Sequence, residues 1–129
     1  RENRRLEEII SNYEIKEMIE NAQKINNMSV IVKTYENKTM NYINKIANKI
    51  SERDDMVALF ALINNDKLNL LFACSKNLEQ LDMNNLLKDS IKLVDGKGGG
   101  SKVLAQGGGK NNGSLDSLFD YVKMKLKSN

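Results

Sequence analysis

All eight glycines of the chain lie between Gly96 and Gly113, and the first 95 residues contain none. Two glycine triplets, at 98–100 and 107–109, bracket a short apolar stretch. Glycine loses more backbone entropy on ordering than any other residue, so a random surface loop would not concentrate it in this way. We therefore expect a backbone that takes left-handed conformations, or one that another group approaches closely. Triplet amides without partners would form a concave nest for an anion.

Positive charge is concentrated in the same part of the chain. From Gly96 onward six lysines stand against two aspartates, whereas in the first 95 residues 15 acidic residues slightly outnumber 14 basic ones. This asymmetry favours a polyanionic partner, and lysines beside bare amides point to phosphate. The alternative that charge alone leaves open is a solvated lysine face.

Histidine is absent and Cys74 is the single cysteine. Without histidine and without a second cysteine, the chain can form neither a zinc site with the usual ligands nor a Ser–His or Cys–His nucleophilic pair. Cys74 ends an apolar run and is expected to be an inert core thiol, which fits a reducing cytoplasm. No apolar run approaches the roughly 20 residues that span a bilayer, so no membrane partner is expected.

Carboxylate chemistry is not expected either. The candidates precede a strand (Asp54 and Asp55), cap a helix (Asp82) or end one (Asp95). We therefore predict no catalytic residue and no metal ligand. Because the chain begins at Arg1 rather than at methionine, we expect a fragment of a longer protein.

Hydrophobic periodicity predicts a long first helix over residues 3–26 with two apolar stripes. One stripe is Leu6, Ile9, Ile10 and Tyr13; the other is Ile15, Met18, Ile19, Ala22 and Ile25. The two stripes predict that this helix is a connector or a coiled-coil-like segment. We therefore divide the chain into a connector (1–26) and a globular domain (27–129). The alternative is an ordinary first helix of the globule.

The remaining pattern alternates strands with helices. We expect a strand at 28–35, a helix at 38–51, a buried hairpin of 56–63 and 68–74, and a helix at 83–94. A short strand at 102–106 inside the glycine segment and a last helix after Ser114 complete the order. The fold class is therefore α/β (α+β), a small mixed β-sheet packed with helices and preceded by the connector helix.

Familiar phosphate loops do not account for the glycine segment. A Walker A loop needs G-x-x-x-x-G-K-[ST], and Gly109-Lys110 is followed by Asn111. A dinucleotide fingerprint needs a third glycine where Ser101 stands. ATP hydrolysis and dinucleotide-dependent redox chemistry are therefore unsupported.

The segment Gly96-Lys97-Gly98-Gly99-Gly100, followed by Ala105-Gln106-Gly107-Gly108-Gly109, resembles the C-terminal domain of alanyl-tRNA synthetases. This DHH-associated domain also occurs in free-standing alanyl-tRNA editing proteins of the AlaX type and in DHH phosphoesterases. The resemblance covers nearly the whole chain. Ser101 departs from it, since many synthetases have arginine there and the phosphoesterases usually have histidine.

The resemblance implies a cytoplasmic, non-catalytic domain that binds tRNA(Ala) for aminoacylation or editing modules elsewhere in the chain. No cofactor is expected in the fragment, with ATP or zinc confined to the N-terminal parts of a parent ligase or hydrolase. Two alternatives stay open. One is a dimerisation module acting through the N-terminal helix or a sheet edge, and the other is the substrate-binding domain of a DHH-type phosphoesterase.

The predicted RNA contacts combine backbone amides, lysines and one amide side chain. Glycine amides would meet phosphate or ribose oxygens, lysines would attract phosphate, and Gln106 would bond a base edge or sugar hydroxyl. The complete set is Lys97, Gly98, Gly99, Gly100, Lys102, Gln106, Gly107, Gly108, Gly109, Lys110, Lys123 and Lys127.

Overall fold

A computed structural model of the chain describes the backbone of residues 2–128 and the side chains of residues 5, 6 and 8–128. Four helices, one 3₁₀ helix and six strands are assigned in this part of the chain. In order they are α1 (Glu2–Glu20), β1 (Gln23–Ile25), β2 (Met28–Glu36), α2 (Met40–Ser51), β3 (Met56–Asn64), β4 (Lys67–Cys74), α3 (Met83–Ser90), the 3₁₀ helix (Ile91–Val94), β5 (Lys97–Gly100), β6 (Leu104–Lys110) and α4 (Leu115–Ser128).

The six strands form one mixed sheet in the order β1-β2-β3-β4-β6-β5. Strands β2 and β3 are parallel and are linked by α2, whereas the other neighbours are antiparallel. The expected hairpin is β3–β4, and it lies in the interior of the sheet. The predicted class, a small mixed sheet packed with helices, is confirmed.

Helices cover both faces of the sheet because the central strands are apolar on both sides. On one face, α1 and α2 pack against residues such as Phe60, with Ile15 and Ile43 among the buried helical side chains. On the other face, α3, the 3₁₀ helix and α4 pack against residues such as Phe72. Strand alternation therefore assigns each residue of the sheet to one of two layers.

Short polar side chains fix the starts of two helices. The Thr39 hydroxyl accepts a 3.1 Å hydrogen bond from the Tyr42 amide, and Asp82 accepts one of 3.2 Å from the Asn85 amide. The predicted cap at Asp82 is confirmed. Asp95, as expected, ends a helical segment, and its φ of 56° turns the chain into β5.

The first helix is shorter than predicted. It ends at Glu20, and residues 23–25 form β1, which pairs with the start of β2. Asn26 and Asn27, with φ of 49° and 70°, make the tight turn between these strands. Ile25 is therefore a core residue of the sheet, whereas Ile15 and its stripe neighbours Met18, Ile19 and Ala22 pack against the α2 side as expected.

No helix in the part of the chain that the structure describes is both long and apolar enough to cross a membrane. The division into connector and domain at residue 26 stays a prediction. The backbone of β1 nevertheless belongs to the sheet, so the structural transition from helix to sheet lies between Glu20 and Gln23.

Candidate nucleic-acid interface

The two glycine triplets lie in β5 and β6, which form an antiparallel hairpin. Residues 101–103 connect the strands, and the Ser101 amide donates a 2.8 Å hydrogen bond to the Leu104 carbonyl. Gly98 faces Gly107 across the hairpin, and β6 also pairs with β4 on its other side. The strand predicted at 102–106 instead begins at Leu104 and continues to Lys110, and residues 102 and 103 lie in the connection.

The expected nest of bare amides at Gly98–Gly100 and Gly107–Gly109 is wrong. Because β6 lies between β4 and β5, its amides take part in ladders on both edges. At the outer edge of β5, the Gly100 amide donates to Oδ1 of Asn84 at 3.0 Å, and the Gly96 amide donates to the Ile91 carbonyl at 3.1 Å. The glycine backbone is extended sheet rather than an anion cradle.

Close approach, not left-handed backbone, explains most of the glycines. Among the described residues, Gly113 is the glycine with a positive φ. A Cβ on Gly107 would lie 2.6 Å from Cδ1 of Ile91, and a Cβ on Gly109 would lie 2.7 Å from Cγ2 of Val94. Gly98 has equally little room, because its Cβ would lie 2.5 Å from the Cα of Gly107. These glycines let the 3₁₀ helix and the partner strand pack tightly.

Gly108 is different. A Cβ there would meet Oδ1 of Asn69 at 3.2 Å and the Leu68 carbonyl at 3.8 Å, so a small side chain has nearly enough space. Gly108 is exposed and points to the face opposite the 3₁₀ helix. Packing therefore does not require glycine at this position, although glycine weakens a strand interior by about 0.5–1 kcal/mol relative to alanine.

The predicted lysines of the hairpin lie at its two ends. Lys97 begins β5 and Lys110 ends β6, so they are near each other, with the ammonium of Lys110 3.5 Å from the Asp95 carboxylate. Lys102 lies in the turn at the other end, about 20 Å away along β6. Its ammonium donates a 3.0 Å hydrogen bond to the Glu79 carbonyl.

Lys123 and Lys127 are far from the hairpin. The end of α4 is held near β1, since the Asn26 side chain donates hydrogen bonds of 3.2 and 3.0 Å to the Leu126 and Lys127 carbonyls. Strands β1 and β5 are the two edges of the sheet, about 24 Å apart at ordinary strand spacing. Lys123 and Lys127 therefore do not adjoin the glycine segment, and their contact with RNA stays a prediction.

The structure instead brings together polar side chains of three neighbouring strands. Register places Asn69, Gly108 and Lys97 in one cross-strand row on the α2 side of the sheet, and Lys67 opposite Lys110 in the next row. Gln106 follows on the same face of β6. We call this surface the open face: Lys67, Asn69, Lys97, Gln106, Gly108 and Lys110.

The open face includes residues that sequence reasoning missed. Lys67 and Asn69 alternate with the buried Leu68 and Leu70, a pattern that indicates a strand with one solvated side. Lys88 of α3 was also missed. Its Cε would lie 3.2 Å from a Cβ on Gly99, so this side chain borders the outer edge of β5.

Other candidate groups have structural roles. Burial raises the pKa of the Cys74 thiol to about 11, with the Asp82 charge adding to the rise and Lys102 opposing it. This agrees with an inert core thiol. Tyr35 is buried and packs edge-on against Phe60, with ring centroids 5.5 Å apart, so it is a core residue.

A sequence profile of the DHHA1 domain family matches residues 8–128. The alanine–tRNA ligase of Methylacidiphilum infernorum is 35% identical over 103 residues, which are 79% of this chain and 11% of that protein. The alanine–tRNA ligase of Listeria innocua is 28% identical over 130 residues, 98% of this chain and 15% of that protein. The chain thus spans only about an eighth of the length of these curated relatives.

Solved structures share the fold. The C-Ala domain of Aquifex aeolicus alanyl-tRNA synthetase superposes with a TM-score of 0.78 at 21% identity, covering 83% of this chain and 98% of that one. RecJ of Thermus thermophilus, solved with Mn²⁺, superposes with a TM-score of 0.66 at 13% identity, covering 95% of this chain and 17% of that one. At such identities the likeness concerns the architecture alone.

Proposed function

Because the chain belongs to the DHHA1 domain family, we propose that it is a non-catalytic tRNA-binding domain of the C-Ala type. In this proposal it holds tRNA(Ala) for the aminoacylation or editing modules of a cytoplasmic alanyl-tRNA synthetase. ATP and zinc, where that enzyme uses them, are bound outside these residues. The shared name of the curated relatives supports the parent enzyme, and their greater length supports an accessory role for this segment.

The observation that carries the proposal is the exposure of cationic side chains on the glycine-rich third of the fold. Lys97 and Lys110 are both exposed, and the Lys110 ammonium lies 3.5 Å from the Asp95 carboxylate, which is equally exposed. Exposed ammonium groups bind polyanions by displacing condensed counterions, without reading sequence. A domain of this kind positions RNA, while chemistry takes place elsewhere.

The test is direct binding of the 129-residue domain to a tRNA(Ala) transcript, followed by fluorescence anisotropy at several salt concentrations. We expect a Kd of about micromolar or weaker that rises steeply with salt, because each neutralised phosphate releases counterions. An affinity that does not change with salt, or no binding at low salt, would contradict the proposal. A neutral polypeptide added as competitor should displace nothing, whereas an unrelated polyanion should compete, because these contacts do not read sequence.

A second candidate function, dimerisation, is favoured by the outer face of α1. Leu6, Ile9, Ile10 and Tyr13 are 52–69% exposed and lie opposite Ile15, which faces the core. Contiguous patches of large exposed apolar side chains mark interaction sites, whereas single exposed apolar residues are common on any protein surface. This outer stripe is absent from the described core clusters, whereas the inner stripe packs on the α2 side without Ile25, which lies in β1.

Sedimentation velocity tests this candidate. If α1 is a dimer interface, the wild-type domain dimerises with concentration, and Ile10→Glu abolishes the dimer. Met124→Glu is a matched control, since Met124 is 51% exposed on α4. A wild-type monomer at all concentrations would rule the candidate out. The phosphoesterase alternative rests only on likeness of fold to proteins such as RecJ.

A further inference from the structure

We propose that the open face is the surface on which this domain receives RNA, with the sugar–phosphate backbone lying across Gly108. This inference rests on the proposed tRNA-binding function and specifies where binding takes place. It assigns roles to Lys67 and Asn69 of β4. It also removes Lys102, Lys123 and Lys127 from the contact surface.

The first support is geometric. Asn69, Gly108 and Lys97 lie in one row across β4, β6 and β5, and Gln106 lies two residues along β6 from Gly108. Of these, Asn69 is half-buried and the others are exposed. Amide groups that can donate and accept thus stand beside an uncovered stretch of strand, where they can bond ribose hydroxyls or base edges.

The second support is the unexplained glycine. Gly107 and Gly109 are required by the contacts of the 3₁₀ helix on the opposite layer, whereas Gly108 has no such constraint. A larger residue there would stand between Asn69 and Lys97 and cover the peptide units of β6. Glycine keeps this part of the sheet flat and lets a ligand approach the main chain closely.

The third support is charge. The strand register places Lys67, Lys97 and Lys110 near one another at one end of the open face, and Lys88 of α3 borders the outer edge of β5. Two carboxylates also lie at this end, Asp66 in the β3–β4 turn and Asp95 beside Lys110. The pair between Lys110 and Asp95 is about 70% exposed on both sides and is therefore weak, so the ammonium remains available to phosphate.

The excluded lysines cannot join the same contact surface. Lys102 lies at the far end of the hairpin, and α4 packs on the opposite layer with its last turn near β1. One RNA segment lying on the open face therefore reaches Lys67, Lys97 and Lys110 without reaching Lys123 or Lys127. This separation allows two variants of identical charge to be compared.

The test uses two triple variants and a tRNA(Ala) transcript. Lys67→Gln, Lys97→Gln and Lys110→Gln remove three charges from the open face, and Lys102→Gln, Lys123→Gln and Lys127→Gln remove three elsewhere. We expect the first variant to lose about tenfold or more in affinity at low salt and its log–log salt slope to fall by about 2 to 3. The second should keep a slope close to that of the wild type.

A single substitution tests the main chain. Gly108→Val removes no charge and should leave the domain folded, since valine favours strands, yet it covers the peptide surface. We expect a loss of affinity of about fivefold or more with an unchanged salt slope. The matched control is Gly113→Asn, outside the sheet at a positive φ that asparagine tolerates.

The outcomes separate this inference from the function on which it rests. No binding of wild-type domain to tRNA would overturn the proposed function itself. Salt-dependent binding that is lost equally in both triple variants, or more in the second, would overturn the open face and leave tRNA binding intact. Full affinity of folded Gly108→Val would show that RNA does not lie over β6.

Discussion

The phenolic oxygen of Tyr35 donates a 2.9 Å hydrogen bond to Oε1 of Glu14, which joins a core residue of β2 to α1. The other carboxylate oxygen of Glu14 accepts a 2.8 Å bond from the Tyr42 hydroxyl of α2. The ammonium of Lys33 lies 3.5 Å from the same carboxylate. One acidic side chain therefore fixes the first helix to both the sheet and its neighbouring helix.

Replacing Glu14 should release this attachment. Glu14→Ala leaves the Tyr35 hydroxyl buried without its charged acceptor, so we expect about 2 kcal/mol of destabilisation in urea unfolding. Glu17→Ala, on an exposed position of the same helix, should change stability by less than about 0.5 kcal/mol. Equal effects of the two substitutions would show that the Glu14 contacts contribute nothing.

Substitution of two adjacent glycines of β6 by alanine should change the stability of the domain by very different amounts. Gly107→Ala forces a methyl group against Ile91 and the β5 backbone, and we expect a loss of about 3 kcal/mol or failure to fold. Gly108→Ala needs only a small shift of Asn69, and we expect a change within about 0.5 kcal/mol. Thermal unfolding of both variants checks the contrast, which similar melting temperatures would refute.

The Cys74 thiol should be unreactive in the folded domain. Its pKa of about 11 keeps it protonated near neutral pH, and burial blocks access, so a thiol reagent should label it only after unfolding. Because the folded pKa is raised above the usual 9, this group stabilises less as pH rises from 9 to 11. The wild type should therefore lose stability more steeply in that range than Cys74→Ala; parallel pH profiles would contradict the burial effect.

The turn between β1 and β2 should prefer glycine to other small residues at position 27. Asn27 has a φ of 70°, which glycine adopts without strain and alanine does not. We expect Asn27→Gly to be neutral or slightly stabilising and Asn27→Ala to cost about 1 kcal/mol. Urea midpoints measure the difference, and indistinguishable midpoints would mean that the turn relaxes.

Removing an acid from the end of the open face should strengthen RNA binding. Asp95→Asn frees the Lys110 ammonium and removes repulsion of phosphate, so we expect about a twofold gain in tRNA affinity at low salt. Asp120→Asn, on exposed α4, is the charge-matched control and should have a smaller effect. Weaker binding by Asp95→Asn would place the RNA elsewhere.

Much of the fold could be predicted from the sequence because local patterns agree with the final packing. The run from β2 through β4 has strand and helix periodicities that match its burial, and Asp82 caps α3 as its position suggests. The end of α1 was mispredicted because Ile25 continues a helical stripe of apolar residues. The asparagine pair that follows it forms a tight turn instead.

The candidate site was harder to predict for a reason of topology. Glycine is depleted in strands, so two glycine triplets indicate a loop when only the sequence is considered. The reason for glycine in β6 is the close packing of Ile91 and Val94 against Gly107 and Gly109, which only the structure shows. The insertion of β6 between β4 and β5 brings Asn69 beside Gly108, and nothing local in the sequence encodes that neighbourhood. Lysines that are close in sequence, such as Lys97 and Lys102, end up apart.

The most direct measurement is a titration of ¹⁵N-labelled domain with tRNA(Ala), followed by amide chemical shifts. The account predicts that the largest changes occur at Gly108, Gln106 and Lys97, with smaller changes at Lys102 and along the last turn of α4. Changes centred on Lys123 and Lys127, with the amide of Gly108 unmoved at saturation, would contradict it.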